Sequence, residues 1–384
     1  MLRIVTMVLF FTVFVALAIA IHVYLYRRLA RDVFQHPRLQ KSLRCVFILG
    51  GLGLVGGLPI VRLLPEGPGQ VLAFICFGWM GFIAIATPIA VLWELPRFWV
   101  RRAQHVDEGR RRMLAKGVAT VTTLSAGAAV ARGVDRALSA PDIVEVSVPI
   151  AQQAPALKGL RIVQLSDVHF GNTIGRDFAE YLVETVNALD ADVVALTGDF
   201  VDGSVAKLGE TVSVLQGLKS RYGLYFVTGN HEYYSGVHEW VAAFESWGIR
   251  VLRNERQRLM HRGQPFDLIG VDDWRGARHA PGHGHDLDRA VRGRDASVPS
   301  ILLAHQPKAI HDASKAGIDL VLSGHTHGGQ IWPFNYAVKL VQPYVQGLHR
   351  HSPRTWIYVH RGTRYWGPPV RLGVNSEIAV LTVT

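Results

Sequence analysis

The chain has little cysteine, and its first part has little negative charge. Cys45 and Cys76 are the only cysteines among 384 residues and both lie in long apolar runs, so a disulfide framework is excluded as the basis of the fold. Residues 1–140 contain 17 Lys and Arg against six Asp and Glu, whereas residues 141–384 contain 24 of each kind. The entire net charge of +11 therefore accompanies apolar sequence, which favours membrane topology over nucleic-acid binding as its cause.

Three segments lack Asp, Glu, Lys and Arg over lengths that suit a membrane-spanning helix, namely residues 4–26, 45–61 and 71–93. A fourth, less apolar segment, residues 117–131, predicts either a further crossing or a basic helix on the membrane surface. It follows Arg111 and Arg112, which resemble a twin-arginine export motif. The positive-inside rule places the basic loops 27–44 and 97–116 in the cytoplasm and the loop 62–70 outside. We expect the fourth segment to cross, which places the rest of the chain outside the cytoplasm.

Side chains that can bind metal ions follow five short apolar runs in the second part of the chain. These runs predict strands at residues 160–165, 193–197, 224–228, 301–304 and 320–323, and open α/β sheets place their ligands at strand ends. The candidate ligands that follow the five strands are, in chain order, Asp167 and His169, Asp199, Asn230, His305, and His325 with His327. A single histidine after a strand is usually a hydrogen-bonded core residue, but five coincident motifs indicate a common site.

The residue types indicate which ions would bind. Carboxylate, imidazole and amide oxygen suit Mn, Zn or Fe and require no thiolate. Two such divalent ions about 3.5 to 4 Å apart can hold both the attacking and the leaving oxygen of a phosphoryl group. One carboxylate would have to bridge the pair, and Asp199 is the candidate.

The motif order D-x-H, G-D, G-N-H-E, H and G-H-x-H resembles the calcineurin-like metallophosphoesterase superfamily, which includes membrane-anchored and exported bacterial members. The resemblance implies that one ion is bound by Asp167, His169, Asp199 and His327, and the second by Asp199, Asn230, His305 and His325. It also implies that His231 is catalytic, as general acid or charge stabiliser, and that Glu232 orients its imidazole. Gly203 and Thr228 stand where the Ser/Thr protein phosphatases have arginines, which argues against that branch.

The fold implied by the resemblance is a four-layer αββα sandwich, preceded here by an N-terminal transmembrane region. Helical spacing of apolar residues at 177–189 and 236–247, between apolar strands, independently favours α/β structure, and residues 378–383 predict a final strand. We therefore expect a transmembrane region at residues 1–140 and a catalytic domain at residues 141–384.

The expected function is metal-dependent hydrolysis of a phosphoester through a metal-bridging hydroxide, at a bacterial inner or plasma membrane. The favoured substrate is lipid-linked or membrane-proximal, such as a phospholipid or a nucleotide-linked lipid, and no nucleic-acid partner is expected. One alternative is a nucleotide or cyclic-nucleotide phosphodiesterase. Another is a membrane sensor or transporter with a degenerate domain, which the uncharged spans disfavour.

Two further regions carry open interpretations. His279, His283 and His285 lie in a Gly- and Pro-rich stretch that predicts a solvated insertion and not a metal site. Aromatic residues are frequent near the C-terminus and predict either core packing or lipid contact. They are Trp332, Tyr336, Tyr344, Trp356, Tyr365 and Trp366.

Overall fold

The computed structural model describes residues 2–61, 64, 66–102 and 107–384. These residues form two compact units. The helical unit comprises Met1–Asp135 with Gly367–Val370, and the sheet unit comprises Arg136–Trp366 with Arg371–Thr384. Residues 62, 63 and 65 of the predicted external loop, and residues 103–106 of the second basic loop, lie outside the described residues.

The first part of the chain is helical because its long runs of apolar residues carry few breakers. Its α-helices are α1 (Leu2–Tyr26), α2 (Pro37–Leu52), α3 (Leu58–Val61), α4 (Glu66–Leu92), α5 (Glu94–Arg102) and α6 (Glu108–Leu138). Five-residue π-helical turns follow α1 at Arg27–Arg31 and α2 at Gly53–Gly57. In the part of the chain that the structure describes, four stretches are long and apolar enough to cross a membrane. They are Phe11–Arg31, Pro37–Gly57, Gly67–Trp99 and Glu108–Leu138.

The fourth predicted segment is thus part of a much longer helix. The sequence suggested a span at residues 117–131, whereas α6 runs from Glu108 to Leu138 and begins before the arginine pair.

Inside the helical unit, the buried imidazole of α1, that of His22, has both of its ring nitrogens in contact with hydrogen-bond partners. Trp79 of α4 donates a hydrogen bond to Nε2 of His22 at 2.9 Å, and Nδ1 of His22 lies 2.7 Å from the carbonyl of Ala18. These contacts join α1 to α4.

The sheet unit contains twelve strands and seven further α-helices among the described residues. The strands are β1 (Asp142–Val148), β2 (Arg161–Leu165), β3 (Val193–Leu196), β4 (Leu224–Phe226), β5 (Arg250–Val251), β6 (Glu255–His261), β7 (Gln264–Gly270), β8 (Ser300–Leu303), β9 (Leu320–Ser323), β10 (Gly347–Arg350), β11 (Trp356–Val359) and β12 (Glu377–Val383). The helices are α7 (Arg176–Asn187), α8 (Val205–Val212), α9 (Asn230–Ser235), α10 (Val237–Ser246), α11 (Leu287–Val291), α12 (Ile310–Lys315) and α13 (Asn335–Val338).

The strands form two mixed six-stranded sheets. The first has the order β1-β12-β2-β3-β4-β5 and the second the order β10-β11-β9-β8-β7-β6. Strands β2, β3 and β4 run parallel to one another, as do β7, β8, β9 and β11, while β12 is antiparallel to β2. The parallel strands are buried on both faces, which explains why most of their residues are apolar and why these do not alternate with polar residues.

Three apolar clusters define four layers, as the family resemblance implied. One lies between the first sheet and helices α7, α8 and α10, where Trp240 and Phe244 are completely buried. A second fills the space between the two sheets, and a third lies between the second sheet and helices α11 and α12. Each large apolar side chain buried in this way contributes roughly 1.5 to 3 kcal/mol. The predicted α/β fold is therefore confirmed.

The prediction from sequence was less complete at the second sheet. The hairpin β6–β7 was not predicted, because β6 (ERQRLMH) is mostly polar and only partly buried. It is stabilised across the hairpin by Arg258, whose guanidinium pairs with the buried Asp267. A charge pair of this kind depends on the register of the two strands. Because it produces no apolar pattern in the sequence, the hairpin could not be predicted from such a pattern.

Candidate metal centre

All seven candidate ligands lie just beyond the ends of adjacent strands. Strands β2, β3 and β4 are neighbours in the first sheet, and β8 and β9 are neighbours in the second. The segments that leave these five strands carry, in order, Asp167 and His169, Asp199, Asn230, His305, and His325 with His327. The sheets thus bring together side chains that are up to 160 positions apart in the chain, since His327 follows Asp167 by that interval.

The ligand atoms fall into two groups. Asp167, His169 and His327 form the first, and Asp199, His305 and His325 the second, with the atoms of each group within 4.8 Å of one another. In the first group, Nε2 of His327 lies 3.1 Å from Nε2 of His169 and 3.3 Å from a carboxylate oxygen of Asp167. In the second, Nε2 of His305 lies 3.0 Å from Oδ2 of Asp199 and 3.2 Å from Nδ1 of His325.

The hydrogen bonds of His305 show that its arrangement fits a cation. Nδ1 donates to the carbonyl of Thr197 at 2.8 Å, so the other ring nitrogen carries the lone pair unless it is protonated. That nitrogen faces the Asp199 carboxylate, and two electron-rich atoms 3.0 Å apart require a proton or a metal ion between them. Burial alone lowers the pKa of His305, but the attraction of Asp199 outweighs it and holds the pKa well above the ordinary value.

Asn230 provides a second observation that fits a metal ion. Its side chain is buried, and its Oδ1 atom has no hydrogen-bond partner among the residues that the structure describes. Leaving such an oxygen unsatisfied costs about 1 to 3 kcal/mol, whereas coordination of a cation would compensate for it. The carboxylate, imidazole and amide donors together suit a divalent transition metal ion.

Two of the histidines are held in the form that binds metals. Burial lowers the pKa of His325 to about 3 and the pKa of His327 to about 4. Both imidazoles are therefore neutral at pH 7, and a neutral ring nitrogen is the donor that a metal ion needs. Burial raises the pKa of the Asp199 carboxyl, but the neighbouring His305 and His231 overcome this and leave it well below its usual range.

The backbone at the centre is unusual. Among the described residues other than glycine, nine have a positive φ, and five of these are candidate ligands, with φ between 50° and 71°. They are Asp167, His169, Asp199, His325 and His327. This left-handed conformation costs about 1 to 2 kcal/mol per residue, so the surrounding structure must enforce it. At Gly229 and Gly324 even a Cβ is excluded, because it would overlap the carboxylates of Asp199 and Asp167.

His231 lies beside the two groups and is held by a residue to which the sequence assigned no role. Nδ1 of His231 contacts Oδ1 of Asp202 at 2.5 Å, and Oδ2 of the same carboxylate lies 3.2 Å from Nδ1 of His169. Burial lowers the pKa of His231, but Asp199, Asp202 and Glu232 together raise it to about 9. The imidazole is therefore protonated at neutral pH and Asp202 links it to a candidate ligand.

The expected role of Glu232 is wrong. Its carboxylate does not contact the His231 ring; it accepts hydrogen bonds from the backbone N–H groups of Gly229, Asp199 and Phe200 at 2.7, 3.0 and 2.7 Å. Glu232 therefore fixes the loops after β3 and β4 to each other. The signal for Asp202 was present, since it lies three positions after Asp199, but its partners come from other strands.

Three other features differ from expectation or were not predicted. The histidine-containing stretch is solvated only in part, because His279 is exposed whereas His283 is buried and Nδ1 of its ring lies 3.1 Å from the hydroxyl of Tyr233. The aromatic residues near the C-terminus fall into two sets, since Tyr365 is buried in the core while Trp332 and Trp366 are exposed. The buried guanidinium of Arg371, which no motif indicated, lies 3.3 Å from Nδ1 of His327.

Comparisons with known proteins agree with this architecture. Residues 160–329 match the family described as calcineurin-like phosphoesterase. The chain is 37% identical over 327 residues to a "Transmembrane protein with metallophosphoesterase domain" of Bos taurus, covering 81% of this chain and 73% of that protein. It is 42% identical over 251 residues to an uncharacterized metallophosphoesterase of Helicobacter pylori, covering 65% and 66% of the two chains. For the uncharacterized metallophosphoesterase YkoQ of Bacillus subtilis, the identity is 33% over 245 residues, covering 61% and 87%.

Proposed function

We propose that this protein hydrolyses lipid-linked phosphoesters with the help of two divalent ions. The chain belongs to the calcineurin-like phosphoesterase family, whose members are phosphoester hydrolases, and the described part of it carries four helices that are long and apolar enough to span a membrane. Asp167, His169 and His327 would hold the first ion and Asn230, His305 and His325 the second. Asp199 would bridge the two ions. Such ions, of which Mn, Zn and Fe suit the donors, polarise a phosphoryl oxygen and lower the pKa of a bound water.

The catalytic step that we assign to the protein itself is proton transfer by His231. Its ring is partly exposed and, with a pKa of about 9, it enters the reaction as the imidazolium. Asp202 holds Nδ1, which leaves the Nε2 proton free to be donated to the leaving-group oxygen of the substrate. General acid catalysis of this kind contributes about two to four orders of magnitude.

Exposed apolar side chains beside His231 support a lipid substrate. The ring of Trp366, which is 51% exposed, has its centroid 6.0 Å from that of His231, and the exposed ring of Tyr234 lies at 5.3 Å. We use the name apolar rim for these two residues together with the exposed side chains of the segment after His327. The rim consists of Tyr234, Trp332, Phe334, Tyr336, Leu340, Val341 and Trp366.

One side chain joins the two parts of the apolar rim near the metal centre. Gln330, three positions after His327, accepts a hydrogen bond from the backbone N–H of Trp366 and donates one to its carbonyl, both at 2.8 Å. The two exposed parts of the rim are thereby tied together. Leu340 and Val341 are 86% and 73% exposed, and a soluble phosphate ester would make no use of such an apolar surface.

The N-terminal part fits an enzyme that acts at a membrane. We propose that residues 1–140 anchor the chain by several crossings and that residues 141–384 form the catalytic domain. We propose that the catalytic domain lies outside the cytoplasm, and the four candidate spans support this orientation if the two basic loops are cytoplasmic. The proposed location is a bacterial inner or plasma membrane.

The test is to compare lipid and soluble substrates with the purified full-length protein in mixed micelles, loaded with Mn, Zn or Fe. Phosphatidic acid and phosphatidylglycerol represent lipid mono- and diesters, while glycerol 3-phosphate and p-nitrophenyl phosphate represent soluble esters. Replacing Trp332 and Trp366 by alanine should reduce kcat/KM for the lipid about tenfold for each side chain that contacts it. Activity on p-nitrophenyl phosphate should be unchanged.

Met260→Ala is the matched control, because Met260 is an apolar side chain of similar exposure, 52%, in β6 and outside the rim. It should leave both activities unchanged. If the two tryptophan substitutions affect lipid and soluble substrates equally, the rim does not bind lipid. If a cyclic nucleotide is hydrolysed faster than every lipid ester, the enzyme is a nucleotide phosphodiesterase and the proposed substrate class is wrong.

A further inference from the structure

A cavity of about 940 Å³ lies within the helical unit, among the last turns of α1, the start of α5 and the first turns of α6. Part of its wall is apolar and includes Ala20, Val23, Trp93, Leu114 and Val118. The volume is that of a site for a ligand of moderate size. None of the residues that line it belongs to the metal centre, so the cavity requires a separate explanation.

The rest of the wall is strongly basic. Six arginines line the cavity against two acidic residues, Asp32 and Glu108. The arginines are Arg27, Arg28, Arg31, Arg97, Arg111 and Arg112. They come from two basic segments that are far apart in the sequence, and the fold of the helical unit gathers them around one space. The positive-inside rule explains why each loop is basic, but it does not require their arginines to share a cavity.

Two of the six arginines have their charge balanced within the protein. Arg28 contacts Glu94 at 2.7 Å and Asp32 at 3.0 Å, and Arg97 contacts Asp32 at 3.2 Å. These ion pairs join α1 to α5 and shape one side of the cavity. Because Arg28 and Arg97 occupy the carboxylates of Asp32 and Glu94, Glu108 is the acidic residue of the wall that is left for the other arginines.

The remaining arginines are available to a ligand. Within the described ranges, Arg27 and Arg111 have no carboxylate within 4 Å. Arg31 reaches Asp32 only at 3.4 Å and is about half exposed, while Arg112 lies 3.9 Å from the exposed Glu108. Surface pairs of this kind contribute little, so four guanidinium groups keep most of their capacity to bind an anion.

We propose that this cavity binds the phosphate headgroup of an anionic phospholipid. The guanidinium group donates two parallel hydrogen bonds to phosphate oxygens, which makes arginine the best side chain for this anion. The arginines follow the last turn of the apolar helix α1, at the depth where a lipid phosphate lies in a bilayer. The apolar part of the wall accepts the glycerol backbone and the first methylenes of the acyl chains. A free phosphate would leave that part of the wall uncovered.

The proposal is tested by native mass spectrometry of the full-length protein released from detergent micelles that contain phosphatidylglycerol or phosphatidylcholine. The wild-type protein should retain one phosphatidylglycerol and release phosphatidylcholine. Arg27→Gln with Arg31→Gln should weaken retention of phosphatidylglycerol at least about tenfold, since each charge-assisted bond that is lost is worth about one order of magnitude. Asp32 keeps its contacts with Arg28 and Arg97 in this variant.

The matched control is Arg38→Gln with Arg44→Gln, which removes the same charge from the same basic loop but outside the cavity. It should retain phosphatidylglycerol as the wild type does. A second variant, Ala115→Phe, leaves all charges in place and adds a bulky ring to the apolar part of the wall, and it should also weaken retention of the lipid. Hydrolysis of p-nitrophenyl phosphate and the thermal unfolding temperature report on correct folding of every variant.

Four results would overturn the proposal. The first is equal retention of phosphatidylglycerol and phosphatidylcholine by the wild type, and the second is an equal loss in the Arg38 and Arg44 control, which would indicate general surface attraction. The third is displacement of the lipid by millimolar glycerol 1-phosphate, which would assign the cavity to a soluble phosphate compound. The fourth is retention of phosphatidylglycerol by Ala115→Phe equal to that of the wild type, which would exclude the cavity as the binding site.

Discussion

Asp202→Asn should shift the pH dependence of the enzyme. In the structure the Asp202 carboxylate contacts the rings of both His231 and His169, at 2.5 and 3.2 Å. Asparagine keeps the size of the side chain and one oxygen acceptor but removes the negative charge. The substitution therefore tests the electrostatic effect on His231 separately from its position.

The size of the shift follows from the distance. An opposite charge within about 4 to 6 Å changes a pKa by about one to three units, and the pKa of His231 is raised to about 9 with Asp202 among the causes. Loss of the charge should lower this pKa by about one to two units. A general acid must be protonated, so activity is constant below its pKa and falls as the pH rises through it. The alkaline limb should therefore move to lower pH.

The assay is a profile of kcat against pH for a phosphomonoester with an alkyl leaving group and for p-nitrophenyl phosphate, at saturating metal and with metal content measured. The alkaline limb should move by about one to two units for the alkyl ester and little for the nitrophenyl ester, whose leaving group needs no proton. His231→Ala should abolish the limb. Asp190→Asn, which removes the same charge from an exposed turn, is the control and should leave the profile unchanged. An unchanged limb in Asp202→Asn, or equal losses for both esters, would show that Asp202 acts only through His169.

Three further predictions concern the bridge, the loop contacts and the topology. Asp199→Ala should lose both metal ions and all activity, because the two cations then repel each other, and elemental analysis that still finds two equivalents would refute the bridge. Glu232→Gln should lower the free energy of unfolding by about 1 to 3 kcal/mol, measured by urea denaturation, because the amide has one oxygen left to serve three backbone N–H groups; an unchanged midpoint would contradict this. Alkaline phosphatase fused after Ala140 should be active and after Lys116 inactive, since that reporter needs an oxidising compartment, and an inactive fusion at Ala140 would place the catalytic domain in the cytoplasm.

The sequence was most informative where a side chain that can bind a metal ion follows a buried strand. Asp167, Asp199 and His325 each lie within three residues of such a strand end, so an apolar run followed by a metal-binding side chain located them without tertiary information. The roles of Asp202 and Glu232 were harder to predict, because the hydrogen-bond partners of each carboxylate come mostly from loops that follow other strands. The carboxylate of Glu232 has the same chemistry whether it contacts a ring or a backbone N–H, and only the packing of the loops after β3 and β4 decides between them.

The same limit applies to the cavity in the helical unit. The arginines of loops 27–44 and 97–116 are visible in the sequence as a topological signal, and that interpretation uses only their number. Their contact with a common cavity depends on the packing of α1, α5 and α6, which an apolar pattern does not encode. Charge composition thus supports a prediction of the compartment of the loops, but it carries no information about a shared cavity.

The position of β12 has a consequence for the order in which the protein is made. This strand lies between β1 and β2 in the first sheet and pairs residue 377 with residue 142, so β1 has its only described partner in a strand that is translated after all the others. At a synthesis rate of about 5 to 20 residues per second, roughly 20 to 70 s separate the emergence of α1 from that of β12. Until β12 emerges, β1 has no partner among the described strands and β2 has one unpaired edge. The sheet unit therefore completes its first sheet only after helices α1 to α6 have been synthesised.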